Sequence, residues 1–375
     1  MMVSTTSGET GRFRKAEELL ADGVRGKAYT AGVMLAGRGE DVVFHAAAGE
    51  AQLSSVFDVA SLTKPLVAAL FFALAQEGKV APEGMLSEFL TSRPQSPAAD
   101  KIRFLHLLSH TSGLPAYRPF FEGIRAAEEK EGKHLWGTSD AHDRIMAAIL
   151  NLPLDAAPGA ACVYSDPGYI LLGRALELIA FQPLDRLLQR LLAEPLGMRD
   201  TAYLPLSQLS ECETGRLVST GHSDVRRKEK LGDVDDENAA AMGGVAGHAG
   251  VFSTAYDLFL FAREILRARR GEGRVFTRSA ALRMTAKVAE PDGCPRTPGW
   301  DTPTRTEGEK SQAGSRFPEG SFGHLGYTGC SIWIDPSREA VITLLTNRIF
   351  YGKQNDGLKS LRPRLHDAVM EELFP

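Results

Sequence analysis

Ser61 and Lys64 stand three residues apart in Phe57-Asp-Val-Ala-Ser61-Leu-Thr-Lys64-Pro65. On a helix that spacing sets a hydroxyl one turn from an amine. The apolar positions Leu66, Val67, Ala69, Leu70, Ala73 and Leu74 follow, with Gly78 behind them. This is helical spacing with a glycine stop. Pro65 is compatible with it only in a first turn, whose N–H groups lack partners anyway, so the helix is expected to begin near Ser61. A serine hydroxyl is a weak nucleophile until a neighbouring base takes its proton. A buried lysine can be that base if its pKa falls, and the positive helix end favours negative charge developing at Ser61. The plain alternative is a serine N-cap followed by a solvated lysine. What separates the two is whether further chemistry-bearing residues lie along the chain.

Two later segments supply them. Tyr164-Ser-Asp166-Pro-Gly-Tyr169 leads into the apolar run Ile170-Leu-Leu-Gly-Arg-Ala-Leu. This sets Tyr164 on a loop at a helix start, where a phenolate beside a lysine can act as general base. Near the C-terminus comes Phe322-Gly-His324-Leu-Gly326-Tyr327-Thr-Gly329-Cys-Ser-Ile-Trp333. Glycines within a strand permit close approach of a ligand. An edge strand of this kind can pair with a substrate amide and contribute an N–H to an oxyanion hole.

The ordered set Ser61-x-x-Lys64, Tyr164-x-Asp166 and His324-x-Gly326 resembles the three motifs of the serine β-lactamase and penicillin-binding protein superfamily. The tyrosine in the second motif is similar to the class C β-lactamase branch, with its D-alanyl-D-alanine carboxypeptidase and esterase relatives. Leu107-Leu-Ser-His110-Thr-Ser-Gly113 and Gly243-Gly-Val-Ala-Gly-His248-Ala-Gly250 strengthen the likeness, which runs from about residue 29 to 350. The resemblance implies Ser61 as acyl-accepting nucleophile, Lys64 as its activator and Tyr164 as general base or acid. It also implies backbone N–H groups of Ser61 and Tyr327 as the oxyanion hole, and Asp166, His324 and Gly326 as substrate-binding positions. No metal or organic cofactor is implied.

Two positions depart from the family pattern. Asp166 stands where asparagine is commoner, and a carboxylate beside Lys64 would raise the lysine pKa. His324 replaces a lysine, so a permanent cation for a substrate carboxylate is missing. Both departures lower the expectation of efficient penicillin hydrolysis and leave acyl transfer from an ester or amide to water.

The bulk properties are ordinary for a soluble globular protein. The chain has 375 residues, 43% hydrophobic and 24% charged, with a net charge of −4. That balance offers no support for nucleic acid or an anionic membrane as partner. The N-terminal residues form no signal-peptide core and no stretch is long enough to span a bilayer, so a cytoplasmic protein is expected. Cys162, Cys212, Cys294 and Cys330 lie far apart without a C-x-x-C, which argues against a redox pair or zinc ribbon and fits a reducing compartment. Oligomeric state cannot be read.

Helices are expected over 11–24, from Ser61 to Gly78, and over 101–109, 139–150, 167–180, 183–192, about 254–269 and 357–373. Strands are expected over 28–37, 41–48, 322–328, 330–335 and 340–347. Residues 291–322, rich in proline, glycine and charge, predict a long surface loop. Arg226-Arg-Lys-Glu-Lys230 and the acidic Gly232–Asn238 stretch predict solvated loops, the latter lining a cleft. His110 predicts a structural contact at a helix end, His248 either a turn role or approach to the site, and Tyr117, Phe120 and Phe121 plain core in preference to a pocket wall. The fold class is α/β (α+β), β-lactamase/transpeptidase-like. A mostly antiparallel sheet lobe from residues 1–80 and 255–375 is flanked by helices, with an inserted helical lobe over 81–254. The expected activity is a serine hydrolase acting through an acyl-enzyme on a small ester, D-amino-acid peptide or β-lactam-like amide. A true β-lactamase or DD-carboxypeptidase, and a slowly acylating sensor that does not turn over, are the alternatives.

Overall fold

Strands from both ends of the chain form one sheet. A computed structural model describes residues 4–5, 12–90, 99–203, 215–305, 308 and 310–375; Cys212 lies outside them. In chain order the strands are Ser4–Thr5 (β1), Ala31–Arg38 (β2), Asp41–Gly49 (β3), Phe57–Asp58 (β4), Ala202–Tyr203 (β5), His222–Ser223 (β6) and Lys228–Glu229 (β7). Val251–Ser253 (β8), Arg296–Thr297 (β9), Trp300–Asp301 (β10), Phe322–Leu325 (β11), Ser331–Asp335 (β12) and Ala340–Thr346 (β13) complete the set. The main sheet runs β1-β3-β2-β13-β12-β11-β10-β9, and its pairs are antiparallel.

Both faces of this sheet are covered, which is why β13 reads as an unbroken apolar and β-branched run. Alternate side chains go to opposite faces. Met34, Ala36, Ile342 and Leu344 pack with the helices Arg14–Arg25 and Gly357–Leu373. Val33, Leu35, Val341 and Leu345 join the larger core with the helices Thr63–Gln76 and Ala255–Arg270. Ala255–Arg270 lies on that face, while the helix that starts at the candidate nucleophile packs on the helices Asp166–Ala180, Leu184–Leu188 and Arg278–Thr285. A smaller sheet, β4-β8-β5, flanks the same helix start. Helices Phe104–Leu108, Phe120–Glu131, Ser139–Leu150, Asp166–Ala180 and Leu184–Leu188 lie between the two sets of main-sheet strands in sequence. Ser165 and Thr254 cap their helices by accepting the Gly168 and Asp257 N–H groups.

Three expectations need correction. The 291–322 segment is not merely a surface loop: it carries β9 and β10, and Trp300 is 1% exposed. Trp300 stacks on Phe261 at 5.8 Å and meets Phe322 edge-on at 5.3 Å. Gly299, at φ +88°, rests so closely on the Ser61 helix that a Cβ would meet that of Ala68 at 2.4 Å. Apolar anchors this sparse leave no periodic signal. The charge run 226–230 is not solvated throughout either. Arg226 and Lys230 are buried in ion pairs, Arg226 with Asp233 and Glu237, and Lys230 with Asp235. Helices Phe120–Glu131, Glu237–Ala241 and Arg278–Thr285 were not anticipated.

Candidate active site

Ser61 sits on a single 3-10 turn, Ala60–Leu62, feeding directly into the helix Thr63–Gln76. Its predecessor Ala60 holds φ at +47°, a left-handed conformation that costs an L-residue about 1–2 kcal/mol. The strain is held by Asp58, whose side chain is fully buried. One Asp58 oxygen accepts the Ala60 N–H at 2.8 Å and the other accepts the Asp235 N–H at 2.6 Å. The Asp58 carbonyl accepts the Thr328 hydroxyl at 2.8 Å. One residue thus ties the Ser61 turn, the acidic 233–237 segment and the β11–β12 turn together. Burial, against its hydrogen bonds, pushes the Asp58 carboxyl up to about 7.

The lysine–hydroxyl contact is present. Lys64 Nζ donates to Ser61 Oγ at 3.0 Å and to the His248 carbonyl at 3.0 Å, and pairs with Asp166 at 2.7 Å. Its side chain is 0% exposed. Burial alone would lower the ammonium pKa; Asp166 and Tyr164 outweigh it and the net shift is upward. Tyr164 stands beside Lys64 and Ser61, and burial raises its pKa despite the Lys64 cation.

Tyr164 is clamped on several sides. Lys64 lies 4.7 Å and Arg296 5.2 Å from its ring centre, and the His110 ring packs on it at 4.5 Å. His110 accepts the Ser165 N–H at 3.0 Å, the structural contact expected of it. His248 is a part of the site: its Nε2 meets Asp236 at 2.9 Å, and that contact holds the Asp236 carboxyl at about 2 although burial opposes it.

These groups open on a cavity of about 500 Å³ lined by Ser61, Tyr164, Asp166 and Tyr327, with Tyr117 and Phe121 as an aromatic wall. Tyr117 and Phe121 are therefore cavity residues and not plain core. Asp235, Asp236 and Glu237 also line it, and their charges are matched by Lys230, His248 and Arg226. Two sequence-derived substrate positions need correction. His324 is 1% exposed and lies behind Tyr164, its ring 6.0 Å away, with Nδ1 against the Leu325 carbonyl at 2.9 Å. Burial pushes it down to about 4, so it is neutral at pH 7. Gly326 does not line the cavity; a Cβ there would meet the Val59 carbonyl oxygen at 2.5 Å. Its glycine allows the β11–β12 turn to close on the nucleophile strand. Asp58 and Arg296 were missed by sequence reading, since neither belongs to a motif.

A hydroxyl 3.0 Å from a buried amine, beside a phenol and facing a cavity, is the arrangement that serine acyl transfer requires. The comparisons agree. The family model Beta-lactamase matches residues 15–360, and the chain belongs to that family. It is similar to the N-acetylmuramyl-L-alanine amidase of Bacillus subtilis (strain 168), 33% identical over 318 residues, 78% of this chain and 68% of that protein. It is 29% identical over 320 residues to a Salmonella typhi protein provisionally named D-alanyl-D-alanine carboxypeptidase, covering 80% of this chain and 70% of that one. Among solved structures, EstCE1, a hydrolase with promiscuous acyltransferase activity, shares the fold at TM-score 0.70 and 19% identity over 95% of this chain and 98% of its own. The protein is a serine hydrolase of the acyl-enzyme type.

Asp58→Asn leaves one of two buried N–H groups without an acceptor, at a cost of about 1–3 kcal/mol. With a folded pKa near 7, well above that of the unfolded chain, Asp58 favours folding most below pH ~4 and loses that contribution as pH rises to about 7. The variant should unfold more readily, flatten that pH dependence and react more slowly at Ser61 with a fluorophosphonate. Denaturant titrations across pH and adduct kinetics by mass spectrometry check this. His324→Lys should bury a third cation beside Lys64 and Arg296, costing on the order of 3 kcal/mol. It should not lower KM for carboxylate-bearing substrates, a point settled by comparing them with neutral esters.

Proposed function

We propose that Ser61 is the nucleophile of an amidase-type hydrolase, whose substrate is a small peptide-bearing amide of the muramyl-peptide class. The observation that carries the mechanism is the Lys64 Nζ to Ser61 Oγ contact of 3.0 Å beside Tyr164. Lys64 and Tyr164 act as one proton-sharing pair. When that pair has lost a proton it accepts the Ser61 hydroxyl proton as Oγ attacks the carbonyl carbon. The Ser61 and Tyr327 N–H groups hold the developing oxyanion, a role supported by the Thr328 and Gly326 contacts that fasten their two turns together. The proton then passes to the leaving nitrogen as the C–N bond breaks, leaving an ester on Ser61. Water, deprotonated by the same pair, attacks that ester and frees Ser61.

Choice of an amide over a β-lactam or DD-peptide rests on two supports. The muramyl amidase is the more similar of the two relatives described. The burial and neutrality of His324 remove the cation that a substrate carboxylate would meet in the third motif. The DD-carboxypeptidase reading is kept by the second relative.

The test incubates wild type and Ser61→Ala with N-acetylmuramyl-L-alanine peptides, D-alanyl-D-alanine peptides, penicillins and p-nitrophenyl esters. Ser61-dependent turnover of the first set is expected. Turnover of D-alanyl-D-alanine peptides alone would favour the carboxypeptidase, and one equivalent of adduct without turnover would mean a sensor. Asp166→Asn removes the charge that holds Lys64 protonated, so the rising limb of kcat/KM against pH should move to lower pH. An unshifted limb would exclude Lys64 and Tyr164 as the titrating pair.

A further inference from the structure

Cys162 and Cys294 are 132 residues apart in sequence, yet their sulfurs lie 2.8 Å from each other as free thiols. The expectation of isolated cysteines is thereby corrected: no local spacing announces the pair, because the fold brings together two loops. Cys162 is part-exposed on the loop two residues before Tyr164. Cys294, 6% exposed, is set by a turn in which its N–H donates to the Pro291 carbonyl at 3.1 Å. Two residues beyond it, Arg296 reaches over the Tyr164 ring and pairs with Asp301. The two cysteines therefore stand at the join between the β9–β10 segment and the loop that carries the phenol. Neither lines the cavity, so the acyl-transfer chemistry leaves them unused. The hydrogen bond from Cys294, with help from the Arg296 cation, draws the Cys162 thiol down to about 7. That shift is toward the thiolate, the nucleophile in exchange, while the neighbouring sulfur and burial hold the Cys294 thiol up.

We propose that Cys162 and Cys294 form a reversible thiol–disulfide site that fastens the β9–β10 segment to the Tyr164 loop. The oxidant is a low-molecular-weight disulfide, RS–SR. Cys162 thiolate attacks one of its sulfurs; a Cys162–SR bond forms and the RS–SR bond breaks, its electron pair leaving as RS⁻, which takes a proton. Cys294, deprotonated, then attacks Cys162 Sγ. The protein disulfide forms and the second RS⁻ leaves and is protonated. Two protein thiols are oxidised, one small disulfide is reduced to two thiols, and excess thiol reverses both steps. A bond length of about 2.05 Å asks for only a small closure of the present separation. Such a pair suits a sensor of thiol balance, the usual role of disulfides that form inside reducing compartments.

The experiment exposes the full-length, reduced, unmutated chain to glutathione disulfide. Titratable thiols should fall from the four of the sequence to two, the intact mass should drop by two hydrogen atoms, and unreduced peptide maps should join the Cys162 and Cys294 peptides. Excess glutathione should restore all four. Hydrogen exchange over residues 291–302 should slow on oxidation in the wild type and stay unchanged in Cys294→Ser. A stable mixed disulfide on Cys162 without closure, a bridge through Cys212 or Cys330, or no modification would each overturn the proposal. Mass and mapping require no active enzyme, so failure of the amidase reading leaves this test intact.

Discussion

A lysine with none of its side chain exposed has to be satisfied by protein, and the site is organised around that demand. Lys64 draws a carboxylate from the start of one helix, a carbonyl from the glycine-rich turn at His248, a phenol from the loop before Asp166 and the hydroxyl of Ser61. An uncompensated charge at that depth would cost several kcal/mol. Removing any partner therefore disturbs the others, and the four segments behave as one unit. The fold supplies the rigidity: the helix bearing Lys64 is buried among other helices over nearly its whole length. Asp58 does the same for the backbone ahead of Ser61, where a left-handed alanine would otherwise relax.

Charge matching extends this arrangement outward. Asp235, Asp236 and Glu237 come from one short stretch, and each is matched by a cation or histidine from a different position in the chain. The cavity wall is thus rich in carboxylates without carrying an unmatched negative field. A ligand there meets fixed dipoles and an aromatic face.

Much of this was legible in the sequence, in proportion to how local its causes are. Helices Ser139–Leu150 and Gly357–Leu373 carry their own periodicity, and β13 announces itself by an unbroken apolar run. Ser61, Lys64 and Tyr164 could be grouped because each motif keeps its spacing within a few residues. The substrate role expected of His324 could not survive, since whether a side chain faces a cavity or the back of a tyrosine depends on strand twist and neighbours. Asp58 looked like any acidic residue, and Arg226 and Lys230 like a solvated run, because their partners arrive only with tertiary structure. The β9–β10 segment failed for a different reason. Its proline and glycine content speaks of turns, while a single buried tryptophan supplies the anchoring.

The seam between β2 and β13 has a consequence for how the molecule comes into being. Gly32 pairs with Thr346 and Arg38 with Ala340, so the centre of the sheet joins segments some three hundred residues apart. Pairings of such long range are slow to close, because the chain between them must first be confined. On a ribosome adding about 5–20 residues each second, the Ser61 helix is made early, yet the β11–β12 turn that Thr328 fastens to the Asp58 carbonyl is made 270 residues later. The newborn chain therefore has an unfastened Ser61 turn until β11 and β12 have been made. Competence for chemistry waits on β11 and β12, and a chain that stops short of them lacks the closure that sets Ser61.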